Sequence, residues 1–327
     1  MKIIVDAFGG DNAPLEVLKG CCLALRENDQ IKITVVGDEE KINQSAADNN
    51  VDITRLHVLN APGIIKMDDD PKMIIDPKNE SSMSKGLKLL ADGEGDVFAS
   101  AGNSGALAVG STFLVKRIKG IKRCAFAPII PGVKGSFMLI DSGANVECRP
   151  SMLLQFGLMG SLYMKNVMKI ENPRVALANI GTEECKGGTL QKEAFEYLKA
   201  SPINFIGNIE ARDIPASGAD VVVADGFTGN VILKLYEGVS LVFMGKIKDI
   251  LDKNLKNRIA ALAILNDLKK LKKETSQDEY GGAPILGASK PVFKIHGNSK
   301  AKSFKNAIRL ATAYANTGVI DAIASKI

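Results

Sequence analysis

Short apolar runs alternate along this chain with longer segments that have helical spacing. The run at residues 2–6 is followed by helical spacing at 15–26 and by a second run at 31–36. The same pattern predicts strands at 96–101, 124–129, 136–141, 174–180, 204–209, 220–225 and 292–296, and helices at 81–91 and 190–199. Strands that alternate with helices favour parallel pairing through crossover helices. We therefore predict an α/β fold with an open, largely parallel sheet covered by helices on both faces.

Two segments depart from this alternation. Residues 68–78 contain several aspartates and two prolines, which is typical of an irregular exposed loop. Residues 245–277 have helical spacing and many lysines, with apolar positions that include Leu262. Since no linker rich in Pro, Gly or Ser divides the chain, we predict a single catalytic domain over residues 1–327, with 245–277 as an insertion.

The charge is concentrated in that insertion. The chain has a formal net charge of +5, and residues 246–273 alone contain nine Lys or Arg and three Asp. The rest of the chain is close to neutral, and there is no Trp, so a nucleic-acid partner is not expected. The N-terminal segment already carries a charge at Asp6, and no apolar run approaches the length of a membrane span. These features predict a cytoplasmic protein.

Metal, disulfide and standard cofactor sites are not expected. The five cysteines include no C-x-x-C pair, and the only histidines are His57 and His296. The sequence also lacks a P-loop, a G-x-G-x-x-G motif after the first strand and a G-x-S-x-G elbow. We therefore expect neither a metal nor a cofactor.

Six predicted strands end in glycine accompanied by Asn, Asp, Ser or Lys. Ligands of open α/β sheets bind beyond the carboxyl ends of the strands. Glycine allows a close approach of the backbone, and a following helix N-terminus favours an anion. The strand ends therefore predict a polar cleft that binds phosphate or carboxylate. Its candidate residues are Asp6, Gly9, Gly10, Gly102, Ser104, Gly105, Asp141, Asn145, Gly226, Asn230 and Gly297.

The same motifs resemble those of the PlsX family of phosphate acyltransferases. The resemblance is carried in order by VDAFGGDNAP, SSMSKGLKLL, SAGNSGAL, IDSGANVECRP, ENPRVALANIGTEECKG, ADGFTGNVILK, YGGAPILG and HGNSKAKSFKNAI. It runs nearly end to end. The departures, Phe8, Ser104, Ser142 and Ala211, remove no ionisable candidate, so they affect the expected substrate preference and not the expected activity.

The resemblance implies transfer of an acyl group from acyl-acyl-carrier protein (acyl-ACP) to inorganic phosphate. It implies a three-layer α/β/α fold of two interleaved lobes, similar to isocitrate and isopropylmalate dehydrogenases and to phosphotransacetylase. It also implies a homodimer and a downstream partner in phospholipid synthesis, the membrane glycerol-3-phosphate acyltransferase.

Four residues are candidates for catalysis. Phosphate is already a nucleophile at neutral pH, so the protein must position it and stabilise the developing oxyanion. Asn103 and the backbone amides around it are candidate donors, and Lys186 is a candidate for the phosphate charge. His296 is a candidate proton donor to the leaving thiolate, and Asp225 is a candidate for orienting these groups.

Three other functions fit parts of the sequence. A phosphate acetyl- or butyryltransferase would use acyl-CoA in the same chemistry. The basic runs at 116–119 and 122–123 suit an acidic carrier protein instead. An NAD-dependent decarboxylating dehydrogenase needs an aspartate cluster that we do not find, and a non-catalytic scaffold would use only the basic insertion.

The insertion itself has two interpretations. Its apolar stretch at 260–265 is flanked by lysines, as in a helix or hairpin that binds at a membrane surface. A helix pair packed on the body or at a dimer interface has the same pattern. The family is peripherally membrane-associated, so we expect binding to the anionic inner face of the membrane.

Overall fold

The computed structural model describes residues 1–133, 135–216, 218–268, 270 and 281–327. In this part of the chain the strands are β1 (Lys2–Asp6), β2 (Lys32–Gly37), β3 (Leu56–Asn60), β4 (Val97–Ser100), β5 (Ala125–Phe126), β6 (Ile129–Gly132), β7 (Gly135–Ile140), β8 (Val175–Asn179), β9 (Phe205–Glu210), β10 (Val221–Val223), β11 (Ala283–Leu286) and β12 (Val292–Lys294).

The helices cover both faces of the sheets. They are α1 (Leu15–Glu27), α2 (Glu39–Asp48), α3 (Ser82–Asp92), α4 (Ser104–Phe113), α5 (Pro150–Asn166), α6 (Thr189–Lys199), α7 (Gly226–Asp252), α8 (Leu255–Ala263), α9 (Ala301–Asn316) and α10 (Val319–Ala324). Local chemistry sets several ends. The Ser81 side chain accepts from the Ser84 N–H at the start of α3, and Gly93 ends that helix at φ 85°.

The strands divide between two sheets, whereas the alternation along the sequence predicts one. The first has the order β3-β2-β1-β4-β12-β11-β5, and the second has the order β6-β7-β10-β8-β9. Pairing is parallel from β3 to β12 and from β7 to β9, and antiparallel at β11, β5 and β6. The expectation of a largely parallel α/β structure is confirmed.

The first sheet contains a topological switch point. The chain builds outward from β1 to β3, and then returns to place β4 on the other side of β1. The connections after β1 and β4 therefore run in opposite directions and leave a crevice beyond the two strand ends. Asp6 and Ser100 are the last residues of these strands.

The prediction of one continuous strand over residues 124–129 is wrong. β5 pairs with β11 in the first sheet, and β6 pairs with β7 in the second. Pro128 lies between them and has no N–H to donate to a ladder, so pairing stops there and the chain passes from one sheet to the other. The strands β3 and β11 were not predicted.

The loop predicted at 68–78 also has more structure than expected. It contains a 3-10 helix, Pro71–Ile75, whose N-terminus is capped by the Asp70 side chain. The Ile74 side chain is fully buried against the first sheet's helices. This burial fixes the loop beside α4.

The helical insertion projects from the body. On the 27-residue α7 the buried residues are Gly226, Gly229 and Leu233, all near its start, and none is buried on α8. The Leu262 side chain is 71% exposed. No helix in the described ranges is long and apolar enough to span a bilayer. Residues 269 and 271–277 of the predicted insertion lie outside the part of the chain that the structure describes.

Candidate functional site

A cavity of about 300 Å³ lies where the carboxyl ends of the two sheets meet. Residues from both sheets and from α7 line it, so neither sheet forms the site alone. They are Ser104, Phe126, Pro128, Ile129, Ser142, Gly143, Asn230, Leu233, Lys234, Gly282, Ala283, Lys294 and His296. The sequence-based candidates Ser104, Asn230 and His296 are among them.

Three turns of the first sheet pack directly against one another below this cavity. A Cβ at Gly9 would lie 2.6 Å from the backbone nitrogen of Gly102. Gly10 has φ 95°, and a Cβ there would lie 2.7 Å from the Gly297 carbonyl oxygen. Only glycine permits this approach without displacing backbone. The structure thus brings the candidates Gly9, Gly10, Gly102 and Gly297 together.

Asp6 joins these turns from inside the fold. Its carboxylate accepts hydrogen bonds from Ser82 Oγ and Ser100 Oγ, both at 2.6 Å, and from the Phe8 N–H at 3.1 Å. Burial raises the pKa of this carboxyl, and the hydroxyl donors and the charge of Lys294 oppose that rise. Asp6 therefore organises the β1 and β4 strand ends from below.

Asn103 lies at the N-cap of α4, where both ends of its amide have partners. Its Oδ1 accepts the Ala106 N–H, and its Nδ2 donates to the carbonyls of Lys66 and Met67 at 3.0 and 3.1 Å. These bonds hold the loop before the 3-10 helix against α4. The N–H groups of Ser104 and Gly105 lie in the first turn of α4, where no intrahelical acceptor exists.

The second sheet contributes a turn that the Asp141 side chain holds by hydrogen bonds. This buried carboxylate accepts from the N–H groups of Phe126, Ala144 and Asn145 at 2.9, 3.2 and 2.6 Å. Burial raises its pKa, and these hydrogen bonds oppose the rise. The turn holds Ser142 and Gly143 at the cavity wall.

The start of α7 packs against the same turn. The Gly226 N–H donates to the Asn145 carbonyl at 2.7 Å, and the Asp225 side chain caps α7 by accepting from Thr228 N at 2.8 Å. Asp141, Asn145, Asp225 and Gly226 therefore position the wall of the cavity from behind. Asn230, one turn further along α7, lines it.

Lys294 lines the cavity and is a candidate site residue that the sequence-based prediction missed. It is the last residue of β12, and its Nζ donates to the carbonyls of Ile295 and Ala101 at 2.6 and 3.1 Å. Burial lowers its pKa to about 8, with Asp6 and Asp11 acting in the opposite direction and Lys234 in the same one. One observation pointed to it, because a single lysine interrupts the otherwise apolar run 292–295 at the end of a buried strand.

A second cationic group faces the cavity from α7. Lys234 lies four residues after Asn230 and therefore on the same helix face. Its Nζ lies 2.9 Å from Glu237 Oε2, whose other oxygen lies 3.8 Å from His296 Nε2. The cavity wall thus carries two lysines and a histidine, and the Glu237 carboxylate lies beside Lys234 and His296.

Lys186 does not line this cavity. It lies in the turn after β8, about half exposed, with its Nζ 3.9 Å from Glu183 Oε1. The nearby Asn179 and Gly187 pack on each other through the Asn179 amide. A catalytic role for Lys186 stays a prediction.

The thiols near the site are held in the protonated form. Burial raises the pKa of Cys124 to about 11 and that of Cys148 to about 12. The thiolate is the nucleophilic form of cysteine. These two side chains are therefore poor nucleophiles at neutral pH.

Comparison with known proteins agrees with the motifs. A model of the family described as fatty acid synthesis protein matches residues 1–322. Phosphate acyltransferases of Acetivibrio thermocellus and Clostridium novyi are 47% and 44% identical; the alignments cover 99% and 100% of this chain, and 95% and 98% of those proteins. A solved phosphotransacetylase from Streptococcus pyogenes has a TM-score of 0.62 at 14% identity, covering 96% of this chain and 94% of that one. The last likeness shows the fold alone.

Proposed function

Since the chain belongs to the PlsX family of phosphate acyltransferases, enzymes of fatty acid synthesis, we propose that it transfers a fatty acyl group from acyl-ACP to inorganic phosphate. The product is an acyl phosphate for phospholipid synthesis, and the consumer is a membrane glycerol-3-phosphate acyltransferase. One observation supports this proposal most directly. The partly buried Lys294 shares a cavity with the first turn of α4, at the point where the two sheets meet.

These groups provide what the reaction requires. A phosphate dianion binds between Lys294, Lys234 and the N–H groups that begin α4, because all three are positive and converge on the cavity. Asn230 and Ser142 supply neutral hydrogen bonds beside it. Holding phosphate next to the thioester carbonyl replaces an encounter in solution by an oriented attack.

The chemical step then balances without a protein nucleophile. A phosphate oxygen attacks the carbonyl carbon, and the oxyanion that forms is stabilised by the positive groups of the cavity. The carbon–sulfur bond breaks, and the proton of hydrogen phosphate passes to the leaving thiolate. His296 lies at the cavity wall and carries this proton in our proposal.

The proposal is tested by following thioester loss in the presence of hydroxylamine. We expect consumption of acyl-ACP to require inorganic phosphate and to yield a hydroxamate from the trapped acyl phosphate. Turnover without phosphate, or a stable acyl-enzyme, contradicts the reaction. Full activity with acyl-CoA and none with acyl-ACP would agree with acyl transfer to phosphate but contradict the proposed donor. The enzyme would then be a phosphate acetyl- or butyryltransferase.

We further propose that α8 and the end of α7 bind an anionic membrane surface at the inner face. Ile259, Leu262 and Ile264 are exposed, and Lys253, Lys256 and Arg258 lie beside them in the sequence. Apolar side chains next to a cluster of cations favour binding at a lipid interface. Each cation adds about 1 kcal/mol near an anionic surface, and salt weakens this term.

A vesicle experiment tests the membrane proposal. Wild-type protein is expected to sediment with anionic vesicles and to be released by high salt. Leu262→Gln together with Ile264→Gln is expected to abolish sedimentation and to leave acyl transfer in solution unchanged. The same double variant must keep the wild-type oligomeric state. Continued sedimentation of the variant, or loss of its oligomer, contradicts the assignment.

The part of α7 that precedes the insertion supports the proposal of a homodimer. Phe227, Val231, Leu235, Val239 and Val242 are exposed and recur every three or four residues on one face of the helix. A continuous apolar stripe of this kind is typical of a surface covered in an assembly. In our proposal a second copy covers it, and the membrane-binding end of the insertion remains free.

A further inference from the structure

A second basic surface lies away from the helical insertion. From Val97 to Ile140 the sequence contains six Lys or Arg and no Asp or Glu. Five of the six lie within residues 116–123, in the segment that joins α4 to β5. A run of this length without an acid is a strong local bias, since acids and bases are nearly equal in number over the whole chain.

Burial holds this segment in a fixed orientation. Val115, Ile118, Ile121 and Cys124 recur every third residue and are all buried. The residues between them therefore point outward, and Lys116, Arg117, Lys119, Lys122 and Arg123 are all exposed. The cations form one outward surface and are not a flexible tail.

Hydrogen bonds tie the same segment to the strand β11 region. The Ile118 N–H donates to the Gly287 carbonyl at 2.9 Å, and Ser289 Oγ donates to the Val115 carbonyl at 2.6 Å. An ordered surface loses less entropy when it binds a partner than a mobile one does. The segment is thus prepared to act as a docking surface.

The surface is concave and has an apolar element. Residues 112, 113 and 116–121 line a groove of about 370 Å³, which we call the basic groove. The Phe113 ring at its edge is 61% exposed. Among the described residues, no carboxylate lies within ion-pair distance of any of the five cations. Their charge is available to a partner.

The basic groove is connected to the active cavity by α4. Ser104 at the start of this helix lines the cavity, and Phe113 at its end lines the groove. At 1.5 Å per residue the two ends lie about 14 Å apart. This separation suits a donor that is held on the surface and delivers its thioester to the cavity on a flexible pantetheine arm.

We propose that the basic groove is the docking surface for the acidic carrier protein that delivers the acyl thioester. The inference rests on the proposed function, and it adds where the donor binds. Carboxylates on a helix of the carrier protein pair with Lys116, Arg117 and Lys119, and an apolar side chain of that helix contacts Phe113. Charges of this kind raise the rate of encounter and make it sensitive to salt.

The test is a charge reversal at two exposed lysines, Lys116→Glu with Lys119→Glu. Neither side chain makes a hydrogen bond to the fold among the described contacts, and the neutral pair Lys116→Gln with Lys119→Gln repeats the test with a milder change. We expect the KM for acyl-ACP to rise at least tenfold in the reversed variant and less in the neutral one. The KM for acyl-pantetheine, which has the arm but not the carrier, is expected to stay unchanged.

A matched control makes the same charge reversal in the helical insertion. Lys248→Glu with Lys253→Glu is expected to leave the KM for acyl-ACP in solution unchanged. The proposed docking surface is overturned if the charge-reversed groove variant keeps the wild-type KM for acyl-ACP. It is also overturned if the KM for acyl-pantetheine rises by the same factor. Reduced binding to anionic vesicles with an unaltered KM would assign the groove to the membrane and also overturn the proposal. A wild-type enzyme whose kcat/KM for acyl-pantetheine equals that for acyl-ACP contradicts the carrier-dependent donor itself, before any variant is made.

Discussion

Replacing Lys294 by methionine is expected to lower kcat/KM for phosphate by about 10²–10³-fold, which is typical for the loss of one donor to a developing oxyanion. The methionine keeps the length and the apolar stem of the side chain and removes only its charge and its N–H groups. Steady-state rates at varied phosphate concentration measure the effect. The KM for acyl-ACP is expected to change little, because the thioester reaches the cavity from the docking side.

The pH dependence separates a role for the Lys294 charge from a role in packing. The lysine is cationic below its pKa of about 8 and neutral above it, so wild-type kcat/KM for phosphate is expected to fall as pH rises through about 8. Lys294→Arg is expected to move that fall to higher pH, because arginine stays protonated.

Two further variants control for this result. Lys192→Met, on the exposed face of α6, is expected to behave as wild type. Lys186→Met is expected to have a smaller effect than Lys294→Met, because the Lys186 ammonium is half exposed and lies beside Glu183. Wild-type kinetics for a folded Lys294→Met would remove Lys294 from the site. A larger loss of kcat/KM for phosphate in Lys186→Met than in Lys294→Met would place the phosphate at the turn after β8 instead.

Asp6→Ala is expected to destabilise the fold by about 2–4 kcal/mol, because two buried hydroxyl donors lose their acceptor. Ser82 Oγ and Ser100 Oγ both donate to this carboxylate, and Ser82 begins α3 while Ser100 ends β4. The midpoint of urea unfolding is expected to fall at an unchanged slope. An unchanged midpoint contradicts the role of Asp6 in joining β1, α3 and β4.

Asp6→Asn distinguishes the shape of this residue from its charge. Asparagine fills the same volume and keeps one acceptor oxygen, so its cost in stability is expected to be smaller than that of alanine. The substitution removes a negative charge that raises the pKa of Lys294. The fall of kcat/KM is therefore expected to occur at a lower pH in Asp6→Asn than in wild type. A pH profile identical to wild type contradicts an electrostatic link between the two side chains.

The candidate site was predicted in part from the strand ends. Glycine and small polar residues at six strand ends predicted a cleft, and the structure places Ser104, Asn230 and His296 on the wall of one cavity. Asn103 and Asp141 had been predicted to face the substrate or to orient the groups that do. In the structure their side chains bond mainly to the backbone of neighbouring turns. Asn and Asp use the same hydrogen-bonding groups to stabilise a turn and to contact a substrate, so the sequence pattern does not distinguish the two roles.

Lys294 shows why part of the site was missed. A lysine in an apolar strand is conspicuous in the sequence, but its importance depends on the cavity that it enters and on the burial that lowers its pKa. Ser104, Ser142 and Lys234 reach the same cavity from α4, from the turn after β7 and from α7. The groups that meet there are separated by up to 192 positions in the chain, and that meeting cannot be inferred from spacing alone.

The sequence by itself determined the family, the α/β class and the chemistry at the strand ends, because period, turn residues and motifs are local properties. Only the tertiary structure decided that the strands form two sheets, that the stretch around Pro128 passes between them, and that Lys294 lies partly buried at their junction. An apolar run specifies that a strand is buried. Which other strand it pairs with is decided by packing over the whole chain. The same reason places the basic groove at the far end of α4, since only three-dimensional packing relates one end of that helix to the cavity and the other to the surface.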